Sequence, residues 1–268
     1  MTTWFDEVDL DPETSWRRMG TRSLGDRPWL VVDEKTPAEL ALRRNLFDQR
    51  REAVFAPAPI DVGLEVGRLV DDALGSARPS GGADPLASAG LAVQEDLCLL
   101  RHRADAWHLD AAFVCFPSRW RLADKLGRPL VEVHAPTEGY AERLAPRVDR
   151  LLDRLTERPV FRRNWFVHPD AALHQPDASS VDPVIPASDV STALHLRSER
   201  QTLRRLPSGW ILFTIRVQQA TLGAFCDEPS RRERFLRYVR DAPPDDLDHR
   251  GVSEAQRCEL RAALGDPE

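Results

Sequence analysis

The chain has 268 residues, of which 42% are hydrophobic and 30% are charged, and its formal net charge is -6. This length allows one or two globular domains with sizeable cores, and the acidic balance argues against a general nucleic-acid binder, which would carry a basic footprint. No apolar run approaches the roughly 20 residues of a transmembrane helix, and the acidic N-terminus lacks the basic and apolar regions of a signal peptide. We therefore expect a cytoplasmic protein that binds neither membranes nor nucleic acids.

Two helices are predicted in the first part of the chain. A threonine followed by a proline at positions 36 and 37 is a typical helix start, and it predicts a helix over residues 36–51. Apolar residues at helical spacing predict a second helix over residues 61–74. The Gly- and Ser-rich run over residues 75–82 is typical of a flexible connector. We place a domain boundary there, so that residues 1–82 form an N-terminal helical extension that packs on the core.

The next part of the chain mixes strands and helices. Residues 91–101 and 106–115 are apolar runs separated by a short polar turn, which predicts an antiparallel hairpin. Residues 118–127 and 139–155 carry helix start signals and helical spacing, so they predict two helices. The short segment 130–134 between these helices is strand-like.

Three further strand-like segments, at residues 160–167, 193–206 and 210–218, follow the long helix. Consecutive strands joined by tight turns pair antiparallel, so we predict an α+β fold in which one antiparallel sheet carries helices on one face. The core of this fold is expected to span residues 83–225. Residues 226–268 are expected to add a C-terminal helix and an acidic tail that frays.

His134 is the first candidate site residue. It precedes the long predicted helix, at a place where the local pattern demands no polar ring. A neutral imidazole can ligate a metal when its second ring nitrogen is held by a carboxylate or a carbonyl, and Glu132 or a backbone oxygen offers such a partner. The alternative is a histidine that is hydrogen-bonded and purely structural.

The charged hairpin formed by the last two strands is the second candidate site. Strand alternation places Arg216 on the face opposite to its apolar neighbours. A three-residue turn would set Arg200 opposite Arg216, whereas a two-residue turn would set Glu199 there. Because opposed like charges are costly, the first register favours a bulge or a second register. The alternative is a solvated face whose ion pairs are worth about 0 to 1 kcal/mol each.

Six ordered blocks of the sequence resemble one known family. They read QEDLCLL at 94–100, CFPSRW at 115–120, KLG at 125–127, VHAP at 133–136, RNW at 163–165, and RSERQTLRRLP at 197–207 with FTIR at 213–216. Together they resemble the heme-dependent oxidative N-demethylase family, of the catalytic α-subunit type, over roughly residues 15 to 255. That family has a PAS-like fold that holds heme b and uses O2 to demethylate a secondary amine. Its electrons come from flavin and iron–sulfur partner proteins.

The resemblance also implies roles for individual residues. His134 becomes the expected proximal ligand of the heme iron. Four residues are implied to contact the cofactor: Trp120, Arg163, Trp165 and Gln201. Three are implied to form the distal pocket: Glu199, Arg200 and Arg216. A guanidinium beside bound O2 would stabilise developing negative charge, and a carboxylate would hold the amine or relay a proton.

Two positions depart from the family pattern. The family's His-x-Pro-Val-Pro continues here with Thr137 and Glu138, and its Thr-Ile-Arg-Thr-Tyr ends here with Val217 and Gln218. The chain also lacks the cysteine spacing of a ferredoxin domain, so a reductase would be a separate chain. The leading hypothesis is O2-dependent N-demethylation of a small amine. A heme-PAS gas or redox sensor without turnover, and a heme-free binding module, are the alternatives.

Overall fold

A computed structural model describes residues 4–13, 20–75, 84–135, 139–177 and 182–266. The connector that we expected over residues 75–82 lies outside this part of the chain except for its first glycine. The two positions after the histidine block that depart from the family pattern, Thr137 and Glu138, also lie outside it. None of the helices in the described ranges is both long and apolar enough to span a bilayer.

One antiparallel sheet runs through the described part of the chain. Its seven strands are β1 (Arg22–Ser23), β2 (Phe55–Ala56), β3 (Asp96–Arg103), β4 (Ala106–Phe113), β5 (Val160–His168), β6 (His195–Arg205) and β7 (Ile211–Thr221). Their order across the sheet is β1-β5-β6-β7-β3-β4-β2. The five longer strands correspond to the predicted ones, and the two short strands at the edges were not predicted. The α+β class is confirmed.

Eleven α-helices are described besides a 3-10 turn at Trp4–Glu7 and a π-helical turn at Tyr140–Leu144. The helices are α1 (Thr36–Val54), α2 (Ile60–Leu74), α3 (Pro85–Gly90), α4 (Leu122–Lys125), α5 (Leu130–Val133), α6 (Ala145–Arg154), α7 (Val190–Ala193), α8 (Leu222–Phe225), α9 (Pro229–Asp241), α10 (Pro244–His249) and α11 (Glu254–Leu264). Helices α1, α2, α6 and α9 agree with the predicted segments.

The turn between β6 and β7 fixes the register of the central hairpin. The amide of Leu206 donates to the carbonyl of Trp210 at 2.7 Å, and Gly209 adopts a φ of 86° in the left-handed region that favours glycine. The loop therefore has three residues, and Arg200 lies opposite Arg216. This is the first of the two registers considered above, and the β6–β7 pairing runs through it without a bulge.

Helices cover both faces of the sheet rather than one. Helices α1 to α3 pack on one face, against buried side chains of β3, β4 and β7: Leu97, Leu99, Phe113 and Leu212. Helices α9 to α11 pack at the β5–β6 end of that same face, against Trp165, Val167 and Leu196. Helices α4 to α6 pack on the second face, against Leu100, Leu109 and Ile211. We call the first of these faces, which is covered by α1 to α3 and α9 to α11, the helix-packed face. The second face, which lies under α4 to α6, also borders a cavity, and we call it the cavity face.

Three local predictions need correction. Residues 130–133 form the helical turn α5 rather than a strand; Pro129 precedes it with φ -64°, and no strand pairs with it in the described ranges. The helix expected from Ser118 begins only at Leu122, because Arg119 has a φ of 63° and Arg121 is extended, so neither residue continues a right-handed helix. The acidic tail is ordered as α10 and α11; the second of these is capped by Ser253, whose hydroxyl accepts from the Gln256 amide at 3.2 Å.

Candidate functional site

A cavity of about 420 Å³ separates the sheet from the segment that runs from α4 to α6. This volume lies within the range of ligand and cofactor pockets. Its floor is formed by residues of five strands, and they alternate along the strand because side chains on one face of a strand recur every second residue. The floor residues are Cys98 and Leu100 on β3, Leu109 on β4, Arg162, Asn164 and Phe166 on β5, Glu199, Gln201 and Leu203 on β6, and Phe213 and Ile215 on β7.

The opposite wall of the cavity is mainly aliphatic. Its apolar residues come from α5, the π-helical turn and α6: Leu130, Val133, Leu144, Val148, Leu151 and Leu152. Trp120 closes one side. Such walls exclude water and strengthen the few polar interactions made inside them.

His134 lines this cavity at the C-terminal end of α5. Its backbone amide donates to the Leu130 carbonyl at 3.0 Å, and its ring Nδ1 lies 2.9 Å from the same oxygen. A carbonyl oxygen only accepts, so Nδ1 carries the proton and the neutral ring keeps its free lone pair on Nε2. The short helix therefore fixes both the position and the tautomer of the imidazole.

Two further features define the orientation and the charge of His134. The Tyr140 ring stacks on the imidazole with a centroid separation of 4.3 Å and an interplanar angle of 13°. Burial lowers the pKa of His134, and the positive charges of Lys125 and Arg162 lower it further, although the bond to the Leu130 carbonyl opposes this shift. The imidazole is thus held in one plane in the uncharged form that binds metals.

Glu199 is the carboxylate of the cavity floor. One of its oxygens accepts from the Ser118 hydroxyl at 2.6 Å, and the other accepts from the Gln201 amide at 2.8 Å. Ser118 in turn accepts from the Nε of Arg197 at 2.9 Å. Only 7% of Glu199 is exposed. A carboxylate offers about four lone-pair positions, so each oxygen of Glu199 can accept another bond from a ligand.

The structure brings together only part of the predicted site. His134, Trp120, Gln201 and Glu199 line one cavity. The remaining four lie on the helix-packed face: Arg163, Trp165, Arg200 and Arg216. On each strand they alternate with residues that line the cavity. Because successive residues of a strand point to opposite faces of the sheet, their side chains lie on the face away from the cavity.

Each of these four side chains has protein partners on that face. Arg163 pairs with Glu7 at 2.5 Å, and the Trp165 indole donates to the Asp9 carbonyl at 3.0 Å. Arg200 donates to the carbonyls of Pro28 and Trp29 at 2.6 and 2.9 Å. These contacts tie the N-terminal segment to the sheet.

Arg216 is fully buried and pairs with two carboxylates, Asp33 and Glu39, each at 2.7 Å. These pairs draw its guanidinium away from Arg200, so the two arginines can occupy opposed positions without the predicted bulge. Glu39 also accepts from Gln94 at 2.8 Å. The arginine therefore holds α1 against β7.

A second buried ion pair lies beside it. Arg43, which is also fully buried, donates to Asp96 at 2.7 Å. Asp96 additionally accepts from the amides of Cys115 and Phe116 at 2.8 and 3.0 Å. Helix α1, strand β3 and the chain that leaves β4 are thus joined at one carboxylate.

The sequence interpretation gave no site role to several polar residues of the cavity, among them Ser118, Tyr140 and Arg162. Ser118 was interpreted as the N-cap of a helix, so its hydrogen bond to Glu199 was not expected. Arg162 lies directly opposite Gln201 in the β5–β6 pairing, and this position could have indicated that it faces the cavity. That register, however, depends on packing rather than on local sequence.

A family model described as haem-dependent oxidative N-demethylase, alpha subunit-like, matches residues 65–258. The matched region is most of the chain, and it contains His134, Glu199 and, apart from Thr21, the residues that line the cavity. The chain belongs to this family. The resemblance found in the six sequence blocks is therefore confirmed. The family description supports a heme-dependent, oxidative demethylase-like function at the level of the family.

The residues of the cavity fit the heme that the family description implies. A neutral imidazole with a free lone pair is the proximal ligand of many heme proteins, and its second nitrogen is normally tied to a carbonyl, as it is here. The aliphatic wall and Phe213 offer apolar contact for a porphyrin. In the ranges described, side chains do not gather into a cluster of three or more His, Cys, Asp or Glu suited to a bare metal ion.

Proposed function

We propose that this chain is a heme b-binding catalytic subunit that performs the O2-dependent N-demethylation of a small secondary amine. Its electrons would come from a separate flavin and iron–sulfur reductase chain. The observation that carries this proposal is the shared cavity of His134 and Glu199, in which a neutral imidazole and a fixed carboxylate face an apolar space. The membership in the family described above supports the same class of reaction.

His134 would hold the iron through Nε2, while its Nδ1 bond to Leu130 and the stacked ring of Tyr140 keep the imidazole oriented. When bound, heme supplies the activation of O2 that amino-acid side chains lack. Trp120 and Gln201 would lie along the cofactor. Arg163, Trp165, Arg200 and Arg216 have no part in this proposal, since they occupy the other face.

Glu199 would receive the amine. Its oxygens keep free lone pairs for an N–H group, and a carboxylate offsets the positive charge of a protonated amine. The net reaction converts an N-methyl secondary amine, O2, two electrons and two protons into the corresponding primary amine, formaldehyde and water. The methyl carbon is oxidised, and O2 takes up electrons from both the substrate and the reductase. Glu199 can accept or return the amine proton as the bond between nitrogen and the methyl carbon breaks.

The decisive experiment is a titration of the purified chain with heme b, followed by the Soret absorbance. We expect one heme per chain. His134→Ala should weaken binding by at least the roughly 100-fold that the loss of a partner of a metal ligand can cost, and added imidazole should restore the ligand. The exposed His102→Ala is the matched control and should bind normally. An undiminished Soret titration in His134→Ala would overturn the assignment.

A second measurement separates an enzyme from a sensor. Heme-loaded protein is supplied with dimethylamine, O2 and a surrogate reductase, and formaldehyde is quantified. Release that depends on both the amine and the reductase is expected. A protein that is reduced and binds O2, yet yields no formaldehyde from any small methylamine, would contradict catalysis.

A further inference from the structure

Three cations line the cavity: Arg119, Lys125 and Arg162. Arg119 forms a close ion pair with Asp182, and Lys125 donates to the Val133 carbonyl. Arg162 differs from both. Across the part of the chain that the structure describes, its guanidinium makes no hydrogen bond or ion pair, although it presents five donors.

The surroundings of Arg162 do not compensate its charge. It lies on β5 opposite Gln201, and a second arginine, Arg250, is held nearby by Asn164 at 2.6 Å. Burial lowers the pKa of Arg162, and the positive charge of Arg250 adds to this effect, while Glu199 and Tyr140 oppose it. A guanidinium does not lose its proton in a protein, so Arg162 remains a cation, and it forms no ion pair among the described residues. Desolvated charges without partners are costly.

A second unpaired donor lies on the opposite side of the same cavity. The Tyr140 hydroxyl is buried and has no hydrogen-bond partner within the described ranges. Tyr140 and Arg162 both line the cavity and interact electrostatically. A planar guanidinium fork with a neighbouring hydroxyl donor matches the two oxygens of a carboxylate, which supplies both the acceptors and the missing negative charge.

We propose that Arg162 binds a carboxylate inside the cavity, with the Tyr140 hydroxyl as a second donor. This inference rests on the proposed function, because it concerns what enters the same cavity. Two sources share the chemistry. One is a propionate side chain of the heme; the other is the substrate itself, which would then be an N-methyl amino acid.

The strand register makes the second source geometrically feasible. Glu199 and Arg162 lie diagonally across β6 and β5, since Asn164 is opposite Glu199 and Arg162 is opposite Gln201. Diagonal neighbours on one face of a sheet are about 7–8 Å apart, within reach of long side chains. An amine and a carboxylate separated by one carbon can therefore contact Glu199 and Arg162 at the same time.

The test uses the variant Arg162→Met and its matched control Arg158→Met, an exposed arginine just before β5. Soret titrations compare heme b with heme dimethyl ester, whose propionates carry no charge. Calorimetry compares N-methylglycine with dimethylamine, on both heme-loaded and heme-free protein. Tyr140→Phe, which keeps the ring that stacks on His134, serves as a second variant should Arg162→Met fold poorly.

Either of two results supports the proposal. If the carboxylate is a heme propionate, Arg162→Met lowers the affinity for heme b by about ten- to hundredfold, which is the cost of losing a charged hydrogen bond. The affinity for heme dimethyl ester stays unchanged. If the carboxylate belongs to the substrate, the affinity for heme is unchanged. The affinity for N-methylglycine then falls by the same factor, and that for dimethylamine does not. Tyr140→Phe should weaken the same ligand by about threefold.

Two results would overturn it. Unchanged affinities for all four probes in both variants exclude a carboxylate at Arg162. An equal fall in the affinities for heme b and its dimethyl ester, or in those for N-methylglycine and dimethylamine, indicates that Arg162 has only a structural role. A wild-type chain without a Soret band would instead refute the proposed heme function, and the calorimetry on heme-free protein would still report on Arg162.

Discussion

The two faces of the sheet treat buried charge in opposite ways. On the helix-packed face, Arg43, Arg163 and Arg216 each contact a carboxylate within 2.7 Å. On the cavity face, the Tyr140 hydroxyl is buried without a partner, and the cavity-lining Arg162 guanidinium forms no hydrogen bond or ion pair among the described residues. In the first arrangement each guanidinium has a carboxylate partner, although the Nε of Arg216 makes no hydrogen bond among the described residues; in the second, no carboxylate pairs with the guanidinium.

This difference separates residues that hold the fold from residues that meet a ligand. Arginine is frequent throughout the chain, so its presence alone indicates neither role. A buried arginine whose donors are matched by carboxylates stabilises the packing of elements, and removing its partner is costly. A cavity-lining arginine without partners costs stability unless a ligand compensates it, which points to binding.

The largest expected effect is on the paired face. Arg216→Ala would leave Asp33 and Glu39 without their counter-charge, and we expect the free energy of unfolding to fall by about 3–5 kcal/mol. Urea denaturation measures this, with the exposed Arg44→Ala as a control that should shift it by less than about 0.5 kcal/mol. The folded variant should bind heme as tightly as the wild type. An Arg216→Ala protein that stays stable but no longer binds heme would contradict the assignment of structural roles to one face and ligand binding to the other.

A functional change without a structural one is expected on the cavity face. Glu199→Gln keeps the size of the side chain and an acceptor for Ser118, but it removes the charge that would hold the amine. We expect kcat/KM for amine oxidation to fall by about 100-fold, while the Soret band and the urea midpoint stay unchanged. Formaldehyde release over a range of amine concentrations gives the value. An unaltered kcat/KM would remove Glu199 from substrate binding.

The smallest expected effect concerns pH. His168 is buried at the end of β5 with both ring nitrogens unpaired in the described structure; burial, with Arg119 and Arg197 nearby, lowers its pKa to about 3. Between about pH 3 and 6.5 the unfolded chain binds a proton that the folded chain does not, so stability is lost as pH falls. His168→Leu should reduce this slope by up to about 1.4 kcal/mol per pH unit. Urea midpoints at pH 7 and pH 5 test it; parallel slopes in variant and wild type would contradict it.

Local sequence signals predicted much of the scaffold. The five long strands and the helices α1, α2, α6 and α9 follow from apolar spacing and start signals, whereas the turn before Trp210 left two registers open, of which the structure adopts the one with three loop residues. Helix α5 was not predicted, because its apolar residues carry no period long enough to distinguish a helical turn from a strand. The edge strands β1 and β2 have two residues each, too few to produce a pattern.

The site was predictable only in part, for a physical reason. The family resemblance implied that Glu199 and Arg200 share one pocket, yet successive residues of a strand point to opposite faces. Which of the two meets the cavity is decided by where α4 to α6 pack, and that depends on contacts distant in sequence. His134 was found because a polar ring beside a helix start stands out locally. Arg162 was missed because nothing in its own strand marks it.

The ion pairs of Arg43 and Arg216 have a consequence for any attempt to trim the protein. The family match begins at residue 65, after α1, yet α1 and the segment before it supply Arg43, Glu39 and Asp33 to the sheet. A chain shortened to the matched region would leave Asp96 and Arg216 as lone charges in an opened core. Helix α1 and the segment that carries Asp33 therefore neutralise charges buried in the sheet, and the matched region alone does not contain their partners.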